Sequence, residues 1–175
     1  HYDLVVVDAP ATGHVVGHLA AAEAIHDVVR FGPVRSQTEW MIDILDDADV
    51  TGTVVVATPE EMPVTETGQL QERLLRETGV HLAAIIANRV PRRPVAPPDD
   101  ADRDRLVAAA GPGANAVVDG ARFLARHYER CHEQLARLQE FSTDTSPFLA
   151  LHEVDSDDNE QVVRELAEAL GEWRP

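Results

Sequence analysis

Four short apolar runs, at residues 4–7 (LVVV), 53–58 (TVVVAT), 83–87 (AAIIA) and 148–154 (FLALHEV), are separated by stretches with helical spacing. That alternation is what most limits the folds open to this chain. Apolar runs rich in β-branched residues suit strands covered on both faces. Strands that alternate with helices connect most simply as crossovers in a parallel sheet. The expectation is an α/β fold, a three-layer sandwich with a mainly parallel sheet. At 175 residues, 44% of them hydrophobic, the chain is long enough to bury the core of one domain.

Periodicity places the helices between these runs. Val15, Val16, Leu19, Ala22, Ile25 and Val29 predict one helix up to about Arg30, and Gly32 with Pro33 ends it. Ser36 and Glu39 read as a capping box for a helix with Trp40, Ile44 and Leu45 on its apolar face and Asp46, Asp47 and Asp49 at its end. Thr58, Pro59 and Glu61 fit N-cap, N1 and N3 of a helix ending near Gly79. The positive end of that helix accounts for Glu60 and Glu61 without a catalytic role. The proline-rich stretch PRRPVAPPDD predicts an exposed connection, about 91–104, and a helix follows within 101–110. Val117, Ala121, Leu124, Tyr128, Cys131, Leu135 and Leu138 form a seam with alternating steps of four and three. Asp157 or Asp158 caps a last helix with Val163, Leu166, Leu170 and Trp173 on one face.

Charge and residue usage remove several function classes. Fifteen basic against thirty-one acidic residues give a net charge of −16, which repels nucleic acid and anionic membrane surfaces. No apolar run approaches the roughly 20 residues of a membrane span, so no direct membrane insertion is expected. The single cysteine, Cys131, excludes an internal disulfide and any Cys-x-x-Cys metal site, and the expected compartment is cytoplasmic. His14 and His18, four apart, are two ligands without a third. In the cluster His127, Cys131 and His132 the cysteine belongs to the apolar seam. All fifteen basic residues are arginine. A phosphate-binding loop of the G-x-x-x-x-G-K-[ST] type needs its lysine, so these 175 residues hold no complete one.

The chemistry that remains sits where the runs end. Asp8 follows the first run, at a position where an acid can hold Mg²⁺ directly or through water beside a phosphate chain, or cap the next helix. Gly13 permits close backbone approach and Thr12 offers a hydroxyl. Asn88 ends the third run; its carboxamide carries donor and acceptor, and can read the N6 and N7 edge of adenine or cap a turn.

DAPATGH, residues 8–14, resembles the switch II loop of the arsenical-pump-driving and tail-anchored-protein-targeting (ArsA-type) ATPases, usually Asp-Thr-Ala-Pro-Thr-Gly-His-Thr. The spacing from Asp8 to His14 is kept, the proline comes one place earlier, and Val15 stands for the last threonine. GPVRSQTEWMIDIL, TVVVATPEEMPVTET, LAAIIANRVPR and SPFLALHEV resemble further stretches of the smaller bacterial members, in the same order. The resemblance implies a partial P-loop NTPase-like fold, with residues 1–175 as the carboxyl-terminal portion of one ATPase domain and the P-loop lysine upstream. It implies ATP and Mg²⁺ as cofactors, with Asp8 holding the metal through water and Thr12, Gly13 and His14 forming the mobile switch. Asn88, with Pro147, Phe148 and the adjoining Leu149, would seat the adenine. Hydrolysis at a dimer interface implies a second copy or a related ATPase as partner, with a protein client or membrane-protein partner beyond. The isolated piece is expected to be inactive, and exposed where the family's phosphate-loop strand would lie beside residues 4–7. Only two methionines, Met41 and Met62, speak against capture of tail-anchored clients, and one cysteine speaks against arsenite binding. The competing reading is a non-catalytic α/β partner that keeps the fold and binds a related ATPase.

Overall fold

A computed structural model describes residues 2–10 and 12–172, the side chains of residues 12 and 172 excepted. Its elements run in the order α1 (Thr12–Leu19), α2 (Ala21–Val28), α3 (Pro33–Asp46), β1 (Thr53–Ala57), α4 (Glu61–Glu77), β2 (Leu82–Val90), α5 (Asp100–Ala110), α6 (Ala114–Gln139), β3 (Phe148–His152) and α7 (Asn159–Glu172). The three strands form one parallel sheet in the order β1-β2-β3, flanked by helices. The chain divides into two compact units. One comprises His1–Val56, Thr65–Ile85 and Phe141–Phe148; the other comprises Ala57–Val64, Ile86–Glu140 and Leu149–Pro175.

β2 has the pattern that the sequence predicts for a strand covered on both faces. Leu82, Ala84, Ile85, Ala87 and Val90 are all buried, and it continues three residues beyond the expected end. β1 departs from that pattern: Val55 and Ala57 are buried, while Val54 and Val56 are exposed. An edge strand with one covered face keeps its alternation even when both sets of side chains are apolar.

Residues 4–7 are the main correction. The sequence reads as a buried strand, yet 2–10 is irregular chain outside the sheet, and Leu4, Val5, Val6 and Val7 are exposed at 69 to 82%. A strand needs a hydrogen-bonded neighbour and a covered face, and among the described residues this segment has no strand beside it.

In the first unit, the helix expected up to Arg30 is two helices, with a turn at Ala20 between them. α3 starts at Pro33, three residues before the expected cap. Gly32, at φ +103, supplies the entry, so Ser36 lies inside the first turn and the capping box is not formed. α2 and α3 are tied by Arg35, whose guanidinium donates to the carbonyls of His26 (3.3 Å) and Val29 (3.1 Å) at the end of α2. It also meets His26 Nε2 at 2.7 Å, and because a guanidinium only donates, that ring nitrogen is the acceptor. Buried Val16, Ala22, Thr38, Leu70, Leu74 and Ile85 belong to this unit's core.

In the second unit, Val64, Ala87, Val90, Val118, Cys131, Leu138 and Leu151 are buried. The seam of α6 begins at Val118; Val117 and Leu124 are exposed, and the four-three register holds only from Tyr128 onward. α4 starts at Glu61, two residues later than expected, with the Glu60 carbonyl accepting its first bond from the Val64 amide at 3.1 Å. α5 has an N-cap in Asp99, which accepts from the Asp102 amide at 2.7 Å. Asp158 caps α7, accepting from the Glu160 amide at 2.9 Å; Val163 and Leu170 face outward and Trp173 lies outside the described residues.

Two glycines in the first unit respond oppositely to a methyl group. A Cβ on Gly52 would come 2.7 Å from the Cβ of Ala83 in β2, whereas one on Gly17, inside α1, meets nothing. Gly52→Ala is expected to destabilise by about 1–3 kcal/mol through overpacking. Gly17→Ala is expected to stabilise by up to about 1 kcal/mol through helix propensity. Denaturant midpoints of the two variants against the parent check both signs.

Candidate functional site

In open α/β sheets ligands collect beyond the carboxyl ends of the strands. The second unit has a hollow of about 270 Å³ there. Thr58, Pro59 and Glu60 reach it just after β1, Arg89 and Pro91 at the end of β2, Glu153 just after β3, and His127 and Cys131 from α6. Arg89 Nη2 pairs with Glu153 Oε1 at 3.1 Å, and the Glu153 amide donates to the Val90 carbonyl at 3.0 Å. The Arg89 backbone lies in the left-handed region at φ +57, uncommon for a residue with a Cβ. Its amide donates to Oδ1 of the half-buried Asn88 at 2.9 Å.

A second hollow, about 540 Å³, shares Pro59, Glu60, His127 and Cys131 with the first. Cys131 Sγ lies 3.6 Å from His127 Nε2. Burial, and after it the charge of Glu60, push the thiol up from its ordinary range, while Arg130 pulls it slightly back. His127 stacks on Phe123 and His132 on Tyr128. Among the described residues no three His, Cys, Asp or Glu side chains come together to hold a metal. The pair His14 and His18 and the cluster at Cys131 therefore form no protein-built metal centre there.

The first unit holds the loop singled out by DAPATGH. Asp8 is exposed on the irregular segment 2–10, and Gly13 and His14 are exposed in the first turn of α1; the Thr12 hydroxyl lies outside the described residues. The Gly13 carbonyl accepts from Arg73 Nη1 of α4 at 3.5 Å, beside a hollow of about 320 Å³ lined by Gly13, Glu66, Gln69, Leu70 and Arg73. Hydrogen bonds from Arg73 and Arg76 hold the Glu77 carboxyl below the usual carboxylate range. Pro147 and Phe148 are half-buried, and the Pro147 carbonyl accepts from the Ile85 amide at 3.0 Å. Asn88 belongs to the second unit, and Pro147 and Phe148 to the first.

The implied Mg²⁺ fits this donor set. Mg²⁺ is usually held by one or two carboxylates with water and phosphate oxygens making up the rest, and Asp8 offers an exposed carboxylate. Sequence reasoning passed over Arg89, Glu153 and Arg73. Arg89 had a signal in its place beside Asn88, and Glu153 in closely following the last strand. Arg73 had none, because its contact with Gly13 spans 60 positions.

Fold and hollow define a class, an α/β protein whose ligand-accessible groups gather at the carboxyl ends of a parallel sheet. Residues 30–100, from just before α3 to the start of α5, match the model of the anion-transporting ATPase (ArsA) family. Over 88 residues it is 34% identical to a putative ATPase of Mycobacterium bovis and to the ATPase BagA of Mycobacterium tuberculosis, 50% of this chain and 25% of each relative. The match thus spans about a quarter of the length of those relatives. Asn88 and Arg89 lie inside the family span; Asp8 to His14, Pro147 and Phe148 lie outside it.

The Cys131 environment sets a pH dependence. The neutral thiol is favoured, so alkylation by iodoacetamide is expected to lag that of a free cysteine near pH 8.5 and to rise only at higher pH. Glu60→Gln removes a negative neighbour and is expected to move the rate profile toward lower pH. A profile that moves upward would contradict the assigned cause.

Proposed function

We propose that this chain is part of an ATP-binding and ATP-hydrolysing module of the ArsA type, Mg²⁺-dependent and acting as a nucleotide-driven conformational switch. The observation that carries the reading is the family match over residues 30–100, which includes β1, β2 and the Asn88 position. The hollow at the strand ends supports it, because that is where a sheet of this kind takes its ligands.

In this reading Asp8 holds water on Mg²⁺, and the metal supplies charge neutralisation for the phosphates when bound. Gly13 and His14 open α1, so a displacement of Asp8 passes directly into that helix. Asn88 reads the adenine edge. The phosphate grip comes from a lysine outside these 175 residues, since they contain none. Dimerisation with a second copy or a related ATPase completes the site, and a protein client or membrane partner receives the movement.

ATP binding and turnover by the full-length protein test the reading. Asp8→Asn is expected to lower kcat about 10²-fold while leaving ATP binding within a few-fold. Hydrolysis unchanged in that variant would sink the switch assignment. Asn88→Ala is expected to weaken ATP by about tenfold or more, one good bidentate base contact being worth about 1–3 kcal/mol, and to weaken GTP less.

A further inference from the structure

The hydrogen bonds between α2 and α3 admit a single protonation state of His26. Thr38 is buried and donates its hydroxyl hydrogen to the Arg35 carbonyl at 2.8 Å, so its oxygen can only accept from the His26 ring, whose Nδ1 lies 3.5 Å away. Nε2 of the same ring accepts from Arg35 Nη2 at 2.7 Å. His26 is thus the neutral imidazole with its proton on Nδ1, and both ring nitrogens are used. A second proton has no place in this arrangement. On Nε2 it would point at a guanidinium N–H across 2.7 Å, donor against donor.

Arg35 is held where it is by its other bonds. Its Nη1 donates to the carbonyls of His26 and Val29, where α2 runs out of intrahelical donors, and its Nε pairs with Glu39 Oε1 at 3.1 Å. Expelling the imidazole gives up its bonds to Arg35 and Thr38; expelling the arginine uncaps α2 as well. The remaining charged groups do not relieve the conflict. From α3 they are Arg35 and Glu39; α2 itself carries Glu23 and Asp27; α1, which adjoins α2, carries His14 and His18, both exposed. None of these carboxylates bonds to the ring.

We propose that His26 is a proton-operated latch on the α2–α3 hairpin, closed while the imidazole is neutral and opened by its protonation. Acid is the opening signal. An imidazole freed by opening takes up a proton in its ordinary range, near about pH 6.5, whereas the closed cluster has no room for one, so the latch holds above that range and is lost as pH falls. The device is independent of the nucleotide reading.

Amide hydrogen exchange of the full-length protein, corrected for the intrinsic effect of pH, tests it. Between about pH 7.5 and 5.5, protection of the α2 amides is expected to fall about tenfold, while that of α6 changes by less than about twofold. In His26→Gln the side-chain oxygen can still accept from Arg35 but takes no proton, and in Arg35→Met the donor facing Nε2 is gone. Both variants are expected to hold α2 protection within about twofold over the same interval. Unchanged α2 protection in the parent, an equal fall in α6, or a parent-like fall in either variant would overturn the proposal.

Discussion

The hollow at the strand ends depends on β2 being paired along both of its edges. Most of its side chains are small or β-branched, and five of its nine residues are buried, so neighbours can approach it from both sides. The Ile85 amide bonds to the Pro147 carbonyl, while the carbonyl of His81, just before β2, accepts from the amide of Thr53, the first residue of β1. Gly52 and Ala83 meet so closely that neither can grow, which fixes how near β1 runs to its neighbour. These bonds set the register, and the register decides that Thr58, Arg89 and Glu153 arrive at the same end of the sheet. A one-residue slip would turn each side chain to the other face of its strand.

Strand runs and the cap of α7 were the legible part of the chain, because each depends on residues a few positions apart. Asp158 at the start of α7 and the apolar run of β2 are local signals, whereas Pro33, which reads as a helix stop, opens α3. What the sequence misplaced depends on partners distant in the chain. Residues 4–7 have every local mark of a buried strand, yet burial is a property of the neighbour and not of the run. The register of α6 failed in its first half for the same reason: Val117 and Val118 are equally apolar, and only packing chooses between them.

The candidate site was legible to the same limited degree. Asn88 stands out by its place after an apolar run, but nothing in a one-letter string announces that Arg89 beside it will adopt positive φ. Glycine or asparagine is the usual occupant of such a turn, so Arg89 carries no turn signal. Glu153 pairs with it across 64 positions, a distance at which sequence pattern is silent. Family resemblance named the loop from Asp8 to His14, yet the family match begins at residue 30, leaving that loop to rest on its own spacing.

The arginine-only composition ties these points to the electrostatics of phosphate binding. A lysine is a compact charge that reaches a phosphate as a point; an arginine is a planar fork that finds carboxylates readily. In this strongly acidic chain the forks are drawn to nearby acids: Arg73 to Glu77, Arg89 to Glu153, Arg122 to Asp100 and Arg164 to Glu160. A triphosphate entering beside such acids would meet added negative charge as well as cations already paired. Within the proposed reading, a divalent metal at Asp8 and a lysine from outside these residues would balance the phosphates, while the strand ends of the second unit would serve the uncharged base. That division suits the chemistry of the hollow, where two prolines and a buried thiol adjoin one exposed ion pair, an environment better matched to an aromatic heterocycle than to a polyanion.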